Sequence, residues 1–267
     1  MKKISLGALC LLAFFCMISV FLIGGQLAAY IWNVAVFIFS PIAIIALLIQ
    51  LIVLMVFLIK KKNVSWNIRF IAVTFVMALP ITVLLGISPV TYPTNANSHD
   101  TIIATIPVED AVIFGGKEYR SHAMWPSECY AYDIVKEPHD VGSKNLEDYG
   151  IYNCDVYSPV SGTVIATENN EPDITPNTDE FTSSMGNYIY IKIDGHDSYL
   201  ILAHFKQDSI SVGVGDHVEQ KQLVGKVGNS GTTSEPHLHV QHQRNNPLDM
   251  TFPSCAEGLP IIFSDRK

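Results

Sequence analysis

A chain of 267 residues, 49% of them hydrophobic and with a positive mean hydropathy, has room for one or two domains and is more apolar than an ordinary soluble protein. Its charge is divided: residues 1–99 carry six cations and no acid, while residues 100–267 carry 11 cations and all 25 acids, so the two parts stand at +6 and −14 within a total of −8. A C-terminal part this acidic excludes nucleic acid as its partner, because phosphate backbones reward basic surfaces, and the division implies two different solvents.

Taken in chain order, residues 4–24 ("ISLGALCLLAFFCMISVFLIG") form an uncharged run long enough, at about 1.5 Å per residue, to span a hydrocarbon core of roughly 30 Å. A second run fills Val34 to Ile59 and a third extends from Phe70 to Ile87. Together they predict about three transmembrane helices over residues 1–88, with Pro41 and Pro80 tolerated inside them because neighbouring helices satisfy the freed carbonyls. Lys2 and Lys3 precede the first run, and Lys60, Lys61, Lys62 and Arg69 surround the link between the second and third. The link "GGQLAAYIWN" is uncharged. The positive-inside rule then puts the N-terminus and the second link in the cytoplasm, and everything after Ser88 outside. A Lys-Lys start followed by an apolar segment also fits a cleaved signal peptide, which would leave the C-terminal domain on the same side. No ionisable residue interrupts the runs to mark an ion pathway, so anchorage in a lipid bilayer through three helices is their simplest role.

Residues 88–100 ("SPVTYPTNANSHD") read as a linker, and residues 89–109 as that linker plus a first strand. From residue 110 to 267 the pattern changes to short β-branched segments, "AVIF", "YAYDIV", "GTVIAT", "NYIYIKID", "SYLILAHF", "HVEQKQLVGKV" and "HLHVQ", after "TIIATIPV" in the first strand. Gly, Asn and Asp punctuate them at hairpin-like intervals. No helical periodicity persists after Asp100, so a mainly antiparallel β domain is expected. The polar, acidic stretch from Glu168 to Gly186 is either a wall of a groove or a disordered insertion. Cys10 and Cys16 sit in the first apolar run as ordinary buried residues. Cys129, Cys154 and Cys255 lie where disulfides are permitted, with three possible pairs and one thiol over.

All nine histidines fall at residue 99 or later. His99, His139, His196 and His217 lie in the linker or beside turns and read as solvated. His237 and His239 are one residue apart in "PHLHVQ", and in a strand residues i and i+2 leave the same face. His204 ends an apolar strand, where a neutral, hydrogen-bonded ring is the default. Asp133, between Tyr132 and Ile134, is a carboxylate in an apolar strand, costly there unless paired or bound to a metal. A catalytic zinc takes three protein ligands from His and carboxylate and leaves one position for water. Asp133, His122 and one histidine of the pair would supply that triad. The second imidazole would then take the water's proton, and His204 would hydrogen-bond the oxyanion.

From Gly115 to Phe263 the sequence resembles the lysostaphin/LytM-type zinc endopeptidases, which cut peptides of bacterial peptidoglycan. The pieces that carry the resemblance are "CYAYDIV", "VYSPVSGTVIA", "GNYIYIKI", "YLILAHF", "VGVGDHVEQKQLVGKVGNSG", "PHLHVQ" and "EGLPIIF", in that order. The resemblance implies that Asp133 and His239 bind one Zn2+ ion, that His237 is the general base, and that His204 helps stabilise the tetrahedral intermediate. Many members carry the first ligand four residues before the aspartate, where this chain has Cys129. Others have "SH" and a longer spacing, which fits Ser121 and His122, so His122 is favoured and Cys129 is the rival. Lys221 stands where the family usually has Gly, in a turn away from the site. The expectation is a multi-pass protein of the bacterial cell membrane whose extracytoplasmic domain hydrolyses peptidoglycan peptides. The alternative is a degenerate relative that binds the wall or activates another hydrolase.

Overall fold

The structure is a computed structural model and describes residues 15, 18–88, 91–92, 100–116, 122 and 124–264. Its contacts divide the chain into two units: Met1–Asn95 with Met124–Pro126, and Ala96–Ala123 with Ser127–Lys267.

In the first unit, Gly24 and Gly25 take positive φ values of 57° and 69°, a turn open to glycine at little steric cost. A continuous apolar helix, α1, follows from Gly25–Ile59. Its Val34–Phe39 stretch widens into a π-helical turn directly ahead of Pro41, whose missing N–H interrupts the regular ladder. Helix α2 covers Ser65–Ala78 and packs along α1, where Gln50 Nε2–H donates to Thr74 Oγ1 at 2.9 Å. Pro80 ends that run, and the four-residue α3, Ile81–Leu84, follows.

This corrects the expectation of about three spans. Among the described residues α1 alone is long and apolar enough to cross a membrane. The expected link "GGQLAAYIWN" is mostly helix, so the second run begins at Gly25 rather than Val34. The third run is cut at Pro80 into two short helices. Most of the first run, residues 4–24, lies outside the described residues.

The second unit is built on strands: β1 Ile102–Ala104, β2 Val112–Gly115, β3 Tyr132–Val135, β4 Asp155–Tyr157, β5 Gly162–Glu168, β6 Asn187–Ile193, β7 Tyr199–Phe205, β8 His217–Val218, β9 Leu223–Lys226, β10 Leu238–Gln243 and β11 Ile261–Phe263. Seven form one antiparallel sheet in the order β2-β3-β10-β7-β6-β5-β8, while β4–β9 and the parallel pair β1–β11 stand apart. The period-2 alternation sets the faces. Ile189, Ile191, Leu200, Leu202, Leu238 and Val240 are fully enclosed in the core, each contributing about 1.5–3 kcal/mol by its burial. The intervening residues of the central strands form the opposite face. In register, Asp133 of β3 lies beside His239 of β10, next comes Ala203 of β7, and then Tyr188 of β6.

The polar stretch after β5 is an ordered loop. Ile174 and Asn229 exchange hydrogen bonds, the Ile174 N–H to Asn229 O at 2.9 Å and Asn229 Nδ2–H to Ile174 O at 2.9 Å. Asn187 Nδ2–H reaches back to Glu171 O at 2.8 Å.

His242 continues the core row of Leu238 and Val240 and is 1% exposed. Its Nε2 pairs with Ser198 Oγ at 2.8 Å and its Nδ1 with Pro260 O at 3.1 Å. Burial pushes its pKa down to about 4. The ring is neutral when folded and titrates near 6.5 when unfolded, so unfolding takes up a proton between these values and stability falls as pH drops through that window. Two and a half units correspond to about 3 kcal/mol. His242→Gln should flatten the decline between pH 6.5 and pH 4, read from urea midpoints; a wild-type slope that survives the substitution would assign the decline to other groups.

Candidate functional site

Asp133 enters β3 from an apolar segment, and the antiparallel register sets it directly opposite His239. His239 Nδ1 lies 3.1 Å from Asp133 Oδ1, and His122 Nε2 lies 3.2 Å from Asp133 Oδ2. The His122 and His239 rings meet edge-on at 5.0 Å between centroids. The ligand atoms of these three residues all lie within 4.8 Å of one another, and Cys129, the rival for the first position, is not in the group. The thiols of Cys129, Cys154 and Cys255 are not joined to one another.

Donors on bonds of about 2.0–2.2 Å around a tetrahedral ion stand roughly 3.3–3.6 Å apart, so two imidazoles and a carboxylate with two spacings of 3.1 and 3.2 Å and all ligand atoms within 4.8 Å come near the donor set and size of a zinc site. Burial alone would raise the Asp133 carboxyl; His237 nearby and hydrogen bonds from His122 and His239 outweigh it and hold the group well below the usual carboxylate range. His239 is pulled both ways. Burial opposes its charge, while the Asp133 carboxylate raises its pKa above the ordinary imidazole value.

His237 lies just ahead of β10. Its Nε2 is 3.6 Å from Asp133 Oδ1, so both imidazoles of the pair do approach one carboxylate. A backbone carbonyl can only accept, so the His237 Nδ1–H donates to Glu235 O at 2.8 Å. Thr233, 3.1 Å from the same nitrogen, sends its own hydroxyl proton to that carbonyl. The lone pair is left on Nε2, facing the cluster.

His204 reaches the site by a distortion that alternation does not predict. In a regular strand Ala203 and His204 would face opposite ways. Here His204 has φ +68°, and the partner strand shifts register between Asn187 and Tyr188. Such a bulge re-aims a side chain, and a non-glycine residue in this region costs about 1–3 kcal/mol. The ring ends 4.7 Å from that of His237 and 6.1 Å from that of His239. Its Nδ1–H donates to Ser230 O at 2.8 Å. That carbonyl is fixed by close backbone contact, since a Cβ added to Gly186 would fall 2.3 Å from Ser230 C and O. Burial first, then His237 and His239, push the His204 pKa well down. A neutral His204 with Nδ1–H committed therefore offers a lone pair at Nε2, and it can donate to an oxyanion only after gaining a proton.

A second group, His139, Asp140 and Glu235, also comes together, but Asp140 is solvated and its amide, not a metal, faces the Glu235 carboxylate. Of the remaining histidines, His217 is exposed and pairs with Asp194 at 2.7 Å, and His99 lies outside the described residues.

Residues 148–250 match the model described as Peptidase family M23. The matched stretch takes in His204, His237 and His239 and stops short of His122 and Asp133. Among solved structures, the chain is similar to a zinc containing peptidase from Vibrio cholerae (26% identity, 34% of this chain and 24% of that one, TM-score 0.27). It is also similar to the antimicrobial peptidase lysostaphin from Staphylococcus simulans (21%, 44% and 44%, 0.27) and to Csd3 from Helicobacter pylori (19%, 55% and 33%, 0.34). The chain spans about a quarter of the first of these proteins and less than half of the other two. No curated protein matches its sequence.

Proposed function

Since this chain carries a Peptidase family M23 domain of the lysostaphin/LytM type, we propose that it is a zinc endopeptidase that cleaves peptide bonds of bacterial peptidoglycan. In this reading it is held at the cell membrane by α1, and its β domain is extracytoplasmic. The observation that carries the proposal is the convergence of His122, Asp133 and His239, with ligand atoms within 4.8 Å of one another. These residues come from three separate segments of the chain.

His122 Nε2, one Asp133 oxygen and His239 Nδ1 would hold the ion. When bound, zinc supplies Lewis acidity and brings the pKa of a water molecule toward 7. His237 presents its Nε2 lone pair to the same space and serves as general base, a role worth about 10²–10⁴-fold. His204 steadies the oxyanion in its doubly protonated form, and as a neutral ring it is a second proton acceptor beside His237. The Asn169–Gly186 loop lines the approach as a groove wall. With −14 on residues 100–267, grip on a polyanionic wall has to come from such local contacts.

The test is zinc stoichiometry of the detergent-purified chain together with release of new amino termini from purified peptidoglycan. One zinc per chain and hydrolysis, both lost in His239→Ala, are expected. A chain that binds no zinc, or cuts equally well with His239→Ala, would falsify the assignment. Zinc with no hydrolysis would move the protein to the degenerate, wall-binding reading.

A further inference from the structure

Three buried side chains lie in a line on β10. His239, Gln241 and Gln243 occupy alternate positions and share one face, with 5%, 2% and 1% of their surfaces exposed. His239 Nε2 is 3.3 Å from Gln241 Oε1, Gln241 Nε2–H donates to Gln243 Oε1 at 2.6 Å, and Gln243 Nε2–H donates to Asn245 O at 2.6 Å. Buried amides of this kind persist when each group finds a partner.

The direction of this chain of hydrogen bonds is fixed from its far end. The Asn245 carbonyl has no proton to give, so the NH₂ of Gln243 must face it. Gln243 then turns its oxygen toward Gln241, which must donate, and Gln241 turns its own oxygen toward His239. An oxygen there is satisfied only by a hydrogen on His239 Nε2. The opposite nitrogen, Nδ1, is the one that faces Asp133.

We propose that Gln241 and Gln243 are positioning residues that keep a hydrogen on His239 Nε2, so that Nδ1, which faces Asp133, is the nitrogen a metal ion would take. The polarity of the ligand is thus set by a backbone carbonyl six residues further along the chain. A neutral amide in this place orients the ring while leaving its proton where it is. This inference rests on the proposed zinc site for its consequence, while the tautomer itself can be read without metal.

Partners that orient a metal-binding histidine are worth about 10–100-fold in affinity. The experiment uses the whole chain in detergent with selectively ¹⁵N-labelled histidine, alongside zinc competition against a chromophoric chelator. Nε2 of His239 should carry its hydrogen both with and without zinc. Gln241→Met, which keeps length and removes the acceptor, should weaken zinc binding by about tenfold or more. Gln243→Met, which touches no atom of His239, should weaken it less but also let Nε2 of His239 appear without its hydrogen in part of the zinc-free protein. A wild-type His239 whose Nε2 bears no hydrogen, or unchanged zinc affinity in a folded Gln241→Met, overturns the inference. Failure of the unsubstituted chain to bind zinc would instead overturn the proposed function, with the Nε2 signal still deciding the relay.

Discussion

Asp133→Asn should lower zinc affinity by about a thousandfold or more and reduce peptide hydrolysis at least in step. The change keeps the shape of the side chain and removes the only carboxylate among His122, Asp133 and His239. Breaking a buried charge pair costs about 3–5 kcal/mol, and 4 kcal/mol is close to a thousandfold in binding. The zinc-free protein gives an independent readout through pH. Asp133 has its folded pKa lowered, so its contribution to stability is present above its unfolded value of 3.8 and is lost as pH falls below it. His239 has its folded pKa raised, so its contribution is present below its unfolded value of 6.5 and is lost as pH rises through the raised value. Both contributions depend on the carboxylate. The stability gap between the zinc-free wild type and Asp133→Asn should therefore be widest from about pH 4 to about pH 6.5, measured by denaturant midpoints. A gap that is flat across that range, or a variant that still binds zinc tightly, would show that the carboxylate is not at the centre of the cluster.

How much of this site could be read from the sequence depends on whether each residue obeys the strand period. Asp133 stood out because a charge in "YAYDIV" has to be compensated, and His239 because alternation pairs it with His237. Their mutual contact needed the β3–β10 register, which joins residues 106 apart and leaves no trace in local pattern. His242 belongs to the same alternation. It continues the row of Leu238 and Val240 into the core, so its burial was legible from "HLHVQH" once the strand was granted. His204 was legible as a strand residue, but its ring is turned by a bulge and a positive φ, and no residue in "LILAHF" announces either. Gln241 and Gln243 look like ordinary polar residues until both are found buried. The membrane part misled for a different reason. Hydropathy averages over Pro80, which ends α2, and it discounts Gly25–Asn33, where Ala, Leu, Ile and Trp suffice to extend a helix backwards from Val34.

His237→Ala separates catalysis from binding more sharply than any change at the ligand positions. His237 is the third imidazole near Asp133, at 3.6 Å, and its Nδ1–H is committed to Glu235 O. Its Nε2 lone pair therefore has either the role of a ligand or that of a base. As a base it should leave zinc affinity within about threefold of wild type while lowering kcat for a wall peptide by about a thousandfold, the middle of the range for a positioned proton acceptor. KM should change little, because the interaction is made while the proton moves and not while the peptide binds. His204 limits the loss from above: its Nε2 lone pair, 4.7 Å ring to ring from His237, gives the variant a poorer substitute acceptor, and His237→Ala with His204→Ala should be slower than either alone. A fall in zinc affinity of about a hundredfold in His237→Ala would instead make it a fourth ligand. The site would then be closed, as in structural zinc centres, and the wall-binding reading would replace hydrolysis.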